Sequence, residues 1–313
     1  MAAKPLVAAS AVSVVVGCPT ELSTVFADYW ALTKPEVNLL IGITTAASFY
    51  LASAAELTRF PWMSLLHTVV GTLFAAGGAA ALNQWAEYPF DAKMRRTARR
   101  AIAGGRVDPD NALTFGATLS LAGVAYLAVT VGRLTSVLAL VTLVGYLLVY
   151  TPLKRVTPTC TLVGAAPGAA PALIGWAAAR GHLDPGAWLL FSIVFFWQFP
   201  HFMSIAWMYR DDYDRAGYLV LPDDAMRDRL VVVQTLLPLL ALLLVSLLPV
   251  HGDRSLSYNI GALVLGCWFF VSGARFTRQR SATAARRLLM VSIIYLPSLL
   301  LLMILLAPRV SWE

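Results

Sequence analysis

Apolar residues fall into nine runs along this chain, at roughly 37–54, 64–86, 112–131, 134–151, 160–179, 187–208, 230–250, 257–274 and 288–307. Each is long enough to cross the hydrocarbon core of a bilayer as a helix, some with tilt. Only Gly132-Arg133 separates the third run from the fourth, so that turn is tight. The pattern predicts an all-α membrane protein, a bundle of nine transmembrane helices.

The cationic residues orient that bundle. With the N-terminus in the cytoplasm, 19 of the 24 Lys and Arg lie in cytoplasmic segments. Each outer segment then holds one: Arg59, Arg133, Arg180, Arg254 and Arg309. This is the bias expected of a multi-pass protein, and every loop alternates correctly. Composition agrees. Of the 313 residues 58 % are hydrophobic and only 13 % charged, against about a quarter charged in soluble domains. The net charge of +7 is spread over several loops between apolar runs, which does not point to nucleic acid. Cys18, Cys160 and Cys267 lie far apart without metal-site spacing and read as unpaired small apolar residues.

The N-terminus is set apart. A run from Leu6 to Gly17 ahead of Cys18 loosely resembles a lipoprotein signal, but Val16 is bulky where cleavage needs a small residue. The run is too short to span, and one Lys with no Arg makes a poor mitochondrial presequence. Residues 1–27 therefore read as a loosely ordered extension before a polytopic domain at 28–313.

Candidate chemistry gathers at the cytoplasmic helix ends. Ten of the 17 acidic residues lie in two loops, after the second and sixth runs, which reads as one polar chamber built from two halves. In the first, Asn83, Glu87 and Asp91 recur every fourth residue, close to one helical face. Lys93, Arg95, Arg96, Arg99 and Arg100 follow directly. Carboxylates at the mouth of a membrane helix are costly and mark a site. Oxygen ligands of this kind suit Mg2+, which usually keeps a substrate phosphate as a further ligand, and arginines grip phosphate in bidentate fashion. A solvated loop whose acids balance its arginines would have a similar composition; the spacing and the emergence from an apolar run favour the site. Pro89 is expected to break helical bonding between Glu87 and Asp91 and to leave Asp91 past a kink.

Four further stretches stand out. Arg210-Asp211-Asp212-Tyr213-Asp214 follows the sixth run, where a second acidic cluster could hold a second hard cation, or serve solubility alone. Tyr150-Thr-Pro-Leu-Lys154-Arg155 ends the fourth run, as a positive-inside anchor or as phosphate ligands. His201, in Trp197-Gln-Phe-Pro-His201-Phe202, lies within a span and is a candidate for heme iron, or for a neighbouring carbonyl. His67 is a weaker candidate near the outer side, and His182 and His251 fall in outer loops. Gly164-Ala-Ala-Pro167-Gly168-Ala-Ala-Pro171 reads as close helix packing, or as a kinked wall for a bulky flat ligand.

Together these motifs resemble the UbiA-type intramembrane prenyltransferases, and within them the branch that farnesylates heme. The match is carried by NQWAEYPFDAKMRRTARR, YTPLKRVTP, GAAPGAAPALIGW, QFPHF and YRDDYDRAGYLVLP, preceded by DYWALTKPEVNLL at 28–40, and covers roughly 28–307 in order. The first motif marks the superfamily; YTPLKR, PHF and DY-x-x-AG-x-x-x-LP point to the heme branch. Glu87 stands where the superfamily often has Asp, and Ala101 where Pro is usual. Tyr209 and Tyr213 fall where the second motif would place two acids four apart, so Asp212 is the preferred acid there and Asp211 the second choice.

The resemblance implies that heme b, farnesyl diphosphate and water give heme O and diphosphate in a multi-pass protein of the bacterial plasma membrane, with the site facing the cytoplasm. By the same resemblance Asn83, Glu87, Asp91, Asp211 and Asp212 hold Mg2+. Arg96, Arg100, Lys154 and Tyr150 hold diphosphate, and His201 contacts heme. The product would pass to a heme A synthase or a terminal oxidase assembly. A prenyltransferase using a quinone precursor, and a transporter with buried polar groups, are the rival readings.

Overall fold

The computed structural model describes residues 21–53, 60–221, 225–248 and 256–306, with side-chain surroundings from residue 24 on and outside 222–226. Cys18, His251 and the chain ahead of residue 21 lie outside these. Among the described residues there are helices and no strands. The helices are α1 (Glu21–Leu32), α2 (Pro35–Ala52), α3 (Trp62–Asp91), α4 (Pro109–Thr130), α5 (Arg133–Val144), α6 (Thr151–Leu153), α7 (Cys160–Arg180), α8 (Pro185–Met208), α9 (Arg210–Ala216), α10 (Ala225–Ser246), α11 (Leu256–Gln279) and α12 (Ala282–Leu306). A π-helical turn, Gly145–Tyr150, joins α5 to α6. Helical structure thus begins inside residues 1–27, the stretch expected to be a loose extension.

Each of the nine apolar runs forms a helix. Eight stretches among the described residues are long and apolar enough to cross a membrane, with 133–153 counting as one. The first run is the exception. Its helix, α2, has spanning length at 18 residues, but Glu36 and Asn38 dilute its apolarity. Helix starts follow the local chemistry. Asp108 caps α4 by accepting from the Asp110 N–H at 2.9 Å, with Pro109 in the first turn. Asp184 does the same for α8 through Gly186 N–H at 3.0 Å.

The helices pack in sequence around α2 and α7: α3 on α4, α4 on α5, α5 and α2 on α7, then α7 on α8, α8 on α10 and α12, and α12 back on α2. Trp176 of α7 is fully buried in this core. Between apolar helices the hydrophobic effect gives little drive in lipid, so close backbone approach has to hold them. At Gly78 of α3 a Cβ would stand 2.4 Å from the Ser120 backbone nitrogen of α4, so only glycine permits that crossing. Outward, Leu121, Val129, Leu148, Leu237 and Leu305 are exposed and form the lipid-facing surface. Some buried polar side chains bond across the helix packing: Ser48 Oγ donates to the Ala172 carbonyl at 2.5 Å and Gln198 Nε2 to the Ala165 carbonyl at 2.9 Å.

The proline-rich stretch of α7 does not interrupt it: Pro167 and Pro171 both sit inside the continuous helix. Its small residues serve close packing, since a Cβ on Gly164 would meet the Tyr150 ring at 2.3 Å. The packing reading of that motif therefore accounts for what is seen. Pro89 is likewise contained. It removes one N–H from the last turn of α3, but Ala92 N–H donates to the Tyr88 carbonyl at 3.1 Å and the helix runs through Asp91. The expected break between Glu87 and Asp91 does not occur.

The alternation of charged loops predicts the orientation of the bundle, and it can be checked directly. Reporter fusions placed after Arg106 and after Gly132 flank α4 and should report opposite faces of the membrane, with Arg106 cytoplasmic. The same face for both would contradict the arrangement.

Candidate active site

The C-terminal turns of α3 place Asn83, Glu87 and Asp91 on one buried face, each less than 10 % exposed. Each is met by a cation from a different part of the chain. Lys34, in the turn between α1 and α2, donates to Asn83 Oδ1 at 2.9 Å. Lys154, just past α6, donates to Glu87 Oε1 at 2.8 Å. Arg100, in the loop after α3, donates to Asp91 Oδ2 at 2.7 Å. Asn83 Nδ2 also donates to Thr151 Oγ1 at 3.2 Å, which ties α3 to the end of the π-helical turn. These residues line one cavity of about 180 Å³ together with Arg96, Tyr146, Tyr150, Tyr213 and Tyr218.

Local structure explains why the groups converge. Lys34 adopts a left-handed conformation (φ 51°) ahead of Pro35, which turns the chain sharply from α1 into α2. The π-helical turn brings Tyr150 beneath the Lys154 ammonium, 4.7 Å from ring centroid to Nζ. The loop after α3 is pinned by Thr97 Oγ1 donating to the Asp91 carbonyl at 2.9 Å. The loop after α8 packs on the loop after α3 through Tyr218, Ala216 and Met94, and Leu219 N–H donates to the Lys154 carbonyl at 2.9 Å. Both loops therefore meet at the cavity, but the second brings Tyr213, Tyr218 and Val220 to its lining rather than Asp211 or Asp212.

Charge in this cavity is finely set. Burial, then the neighbouring Arg100 and Lys154, lower the Lys34 ammonium to about 7, although Glu87 and Asp91 pull the other way. Burial also opposes the charge on Lys154, but Tyr150 and Glu87 outweigh it and hold that ammonium well above its ordinary value. Burial, and then the Glu87 charge, push the Tyr218 phenol up, so it stays protonated.

The second acidic cluster behaves differently from the first. Asp212 is buried, but it accepts from Arg96 N–H at 3.2 Å and pairs with Arg215, and it lies outside the cavity lining. Asp211 is turned outward at 79 % side-chain exposure, beside Arg210. Asp211 is therefore not brought to the site, because the α9 helix turns it to the exposed side, next to Arg210. Arg96 does reach the cavity, its guanidinium over the Tyr209 ring at 4.8 Å. His201 lies apart from the cavity, bonded to Ser292, whereas Phe202, Ile205 and Ala206 of the same helix line it. His67 of α3 bonds Tyr126 at 2.6 Å, and His182 is exposed.

Sequence reading missed Lys34, Tyr146, Tyr213 and Tyr218 as site residues. Lys34 stood in the matched stretch DYWALTKPEVNLL and Tyr218 in YRDDYDRAGYLVLP, but only tertiary packing carries them to Asn83 and Glu87.

The donor set can be tested for Mg2+ on its own geometry. Asn83, Glu87 and Asp91 supply hard oxygen atoms, and Asp91 Oδ1 is buried without a hydrogen-bond partner. No group of three or more His, Cys, Asp or Glu that could hold a metal occurs among the described residues. A cation held by one or two carboxylates and completed by substrate phosphate matches the usual Mg2+ arrangement, so the residues fit.

Comparison with known proteins bears on this geometry. The UbiA prenyltransferase family matches residues 41–296. A protoheme IX farnesyltransferase of Solibacter usitatus is 45 % identical over 285 residues, covering 89 % of this chain and 98 % of that protein. Among solved structures, a digeranylgeranylglyceryl phosphate synthase superposes with TM-score 0.73 at 14 % identity, over 91 % of this chain and 99 % of the other. A UbiA homolog from Archaeoglobus fulgidus, bound to GPP and Mg2+, superposes with TM-score 0.59 at 12 % identity, covering 88 % and 99 %.

The lowered Lys34 ammonium makes a pH prediction. Its charge is nearly full at pH 6 and is lost as pH rises through about 7. Affinity for farnesyl diphosphate, relative to a Lys34→Arg variant that stays charged, should therefore fall by up to about tenfold between pH 6 and pH 8. Binding assays on both proteins across that range check it; parallel profiles would rule it out.

Proposed function

The chain belongs to the UbiA prenyltransferase family, and from that membership we propose that it transfers a farnesyl group from farnesyl diphosphate to the vinyl group of heme b, giving heme O. It is a multi-pass membrane enzyme. The observation that carries the chemistry is the run of three cation pairs along the α3 face: Lys34 with Asn83, Lys154 with Glu87, Arg100 with Asp91. The acceptor is supported by the protoheme IX farnesyltransferase name of a relative 45 % identical over nearly its whole length. That similarity does not favour a quinone-precursor acceptor, and the family leaves no ground for a transporter.

Asn83, Glu87 and Asp91 would hold Mg2+, which supplies Lewis acidity at the leaving diphosphate. Asp212, through Arg96, holds the loop that carries the guanidinium to the cavity. Lys34, Lys154, Arg96 and Arg100 bind diphosphate oxygens and neutralise the charge that grows as the allylic C–O bond ionises. Tyr150 supports the Lys154 ammonium. The apolar helices keep water from the farnesyl cation. The vinyl carbon of heme attacks C1 of that cation, and the charge moves to the vinyl carbon next to the ring. One water adds there and gives up a proton, which leaves a hydroxyethylfarnesyl chain and diphosphate. His201 contacts the heme. Residues 1–27 precede the catalytic domain at 28–313. The site faces the cytoplasm from a bacterial plasma membrane, and the product passes to a heme A synthase or an oxidase assembly.

The test is mass spectrometry of heme extracted from cells expressing the chain. Wild type should yield farnesylated heme. Asp91→Ala should accumulate in membranes and yield none, a loss of at least about a hundredfold for a group at the reacting diphosphate. Unchanged heme b in cells with abundant wild-type protein would refute the acceptor.

A further inference from the structure

His201 is held by more than a single contact. Its Nδ1 lies 2.8 Å from Ser292 Oγ on α12, and its ring stacks on Trp197 at 4.7 Å and 26°. Trp197 Nε1–H in turn donates to the Ser292 carbonyl at 2.7 Å. Two neighbouring turns of α8 are thus clamped to one residue of α12, and Ser292 is fully buried.

The proton between His201 and Ser292 can be assigned. Ser292 Oγ stands 2.6 Å from the Leu289 carbonyl. A carbonyl only accepts, so the single hydroxyl hydrogen of Ser292 is directed there. The hydroxyl can then only accept from His201, which places the imidazole proton on Nδ1. Nε2 carries the lone pair and has no hydrogen-bond partner among the described residues. His201 is half-buried, so Nε2 is not sealed off. It sits one turn deeper than Ile205, which lines the cavity, on the same side of α8.

We propose that Ser292 is a positioning residue: it fixes the His201 imidazole with its N–H turned to α12 and its Nε2 lone pair free for the iron of the heme substrate. The inference rests on the reading above that His201 contacts heme. A hydrogen bond from the far ring nitrogen fixes the tautomer and ring orientation and raises the basicity of the ligating one, and loss of such a partner typically weakens metal binding about 10- to 100-fold. Trp197 adds orientation, since a stacked ring cannot swing away from Ser292.

The experiment uses the full chain purified in detergent and titrated with ferrous heme b. The iron–histidine stretch is read by resonance Raman, and farnesyl diphosphate binding serves as the measure of an intact fold. Wild type should show the iron–histidine band, and His201→Ala should lose it. Ser292→Ala should keep the band at lower frequency and bind heme about 10- to 100-fold more weakly. Ser292→Thr, which retains the hydroxyl, should restore both, with farnesyl diphosphate affinity unchanged throughout. A band that persists in His201→Ala would overturn the heme-contact reading and this inference with it. If His201→Ala loses the band while Ser292→Ala matches wild type, His201 stands and the role of Ser292 falls. Loss of farnesyl diphosphate binding in Ser292→Ala would make the residue structural and overturn the proposal.

Discussion

Charge removed from water at the end of an apolar helix must be paired, and the rest of this molecule is arranged around meeting that demand on α3. A buried carboxylate left alone costs several kcal/mol, and removing one partner of a buried pair typically costs about 3–5 kcal/mol. Glu87 and Asp91 therefore fix Lys154 and Arg100, and Asn83 fixes Lys34. The three cations come from the α1–α2 turn, the end of α6 and the loop after α3. Pairing these groups thus organises most of that end of the bundle. One acidic oxygen is left over: Asp91 Oδ1, buried and without a partner. A site that needs to accept a cation together with a polyanion has to leave such an opening while keeping its own charges balanced beforehand.

The balance also explains the division of labour between the two acidic loops. Both were rich in carboxylates, but the second spends Asp212 on Arg96 and Arg215 and turns Asp211 to the outside. It contributes shape, through Tyr213 and Tyr218 on the cavity wall, and a hold on the arginine loop. The polar clamp between α8 and α12 at His201 lies one turn deeper than the cavity-lining Ile205, apart from the paired charges.

Much of this was legible in the chain because the signals were periodic or cumulative. Apolar runs of spanning length report helices whatever their neighbours do, and all nine became helices. Asn83, Glu87 and Asp91 share a face simply because a helix repeats every 3.6 residues. Single residues were harder to read. Lys34 looked like any positive-inside lysine, and its role comes from a left-handed turn that sets it against a residue 49 positions away. Pro89 seemed bound to break α3, but one missing N–H in a last turn leaves the rest of the ladder intact. The motif preferred Asp212 to Asp211, and the α9 helix does bury the first and expose the second, but only tertiary packing shows that neither lines the cavity.

The central claim is that Asp91 and its neighbours take a divalent cation together with the diphosphate. Electron paramagnetic resonance of Mn2+, substituted for Mg2+, tests it most directly on the full chain with a thio analogue of farnesyl diphosphate that ionises slowly. The account predicts tight Mn2+ binding by wild type only when the analogue is present, and loss of that binding in Asp91→Asn. Equal Mn2+ binding by Asp91→Asn and wild type in the presence of the analogue would contradict it.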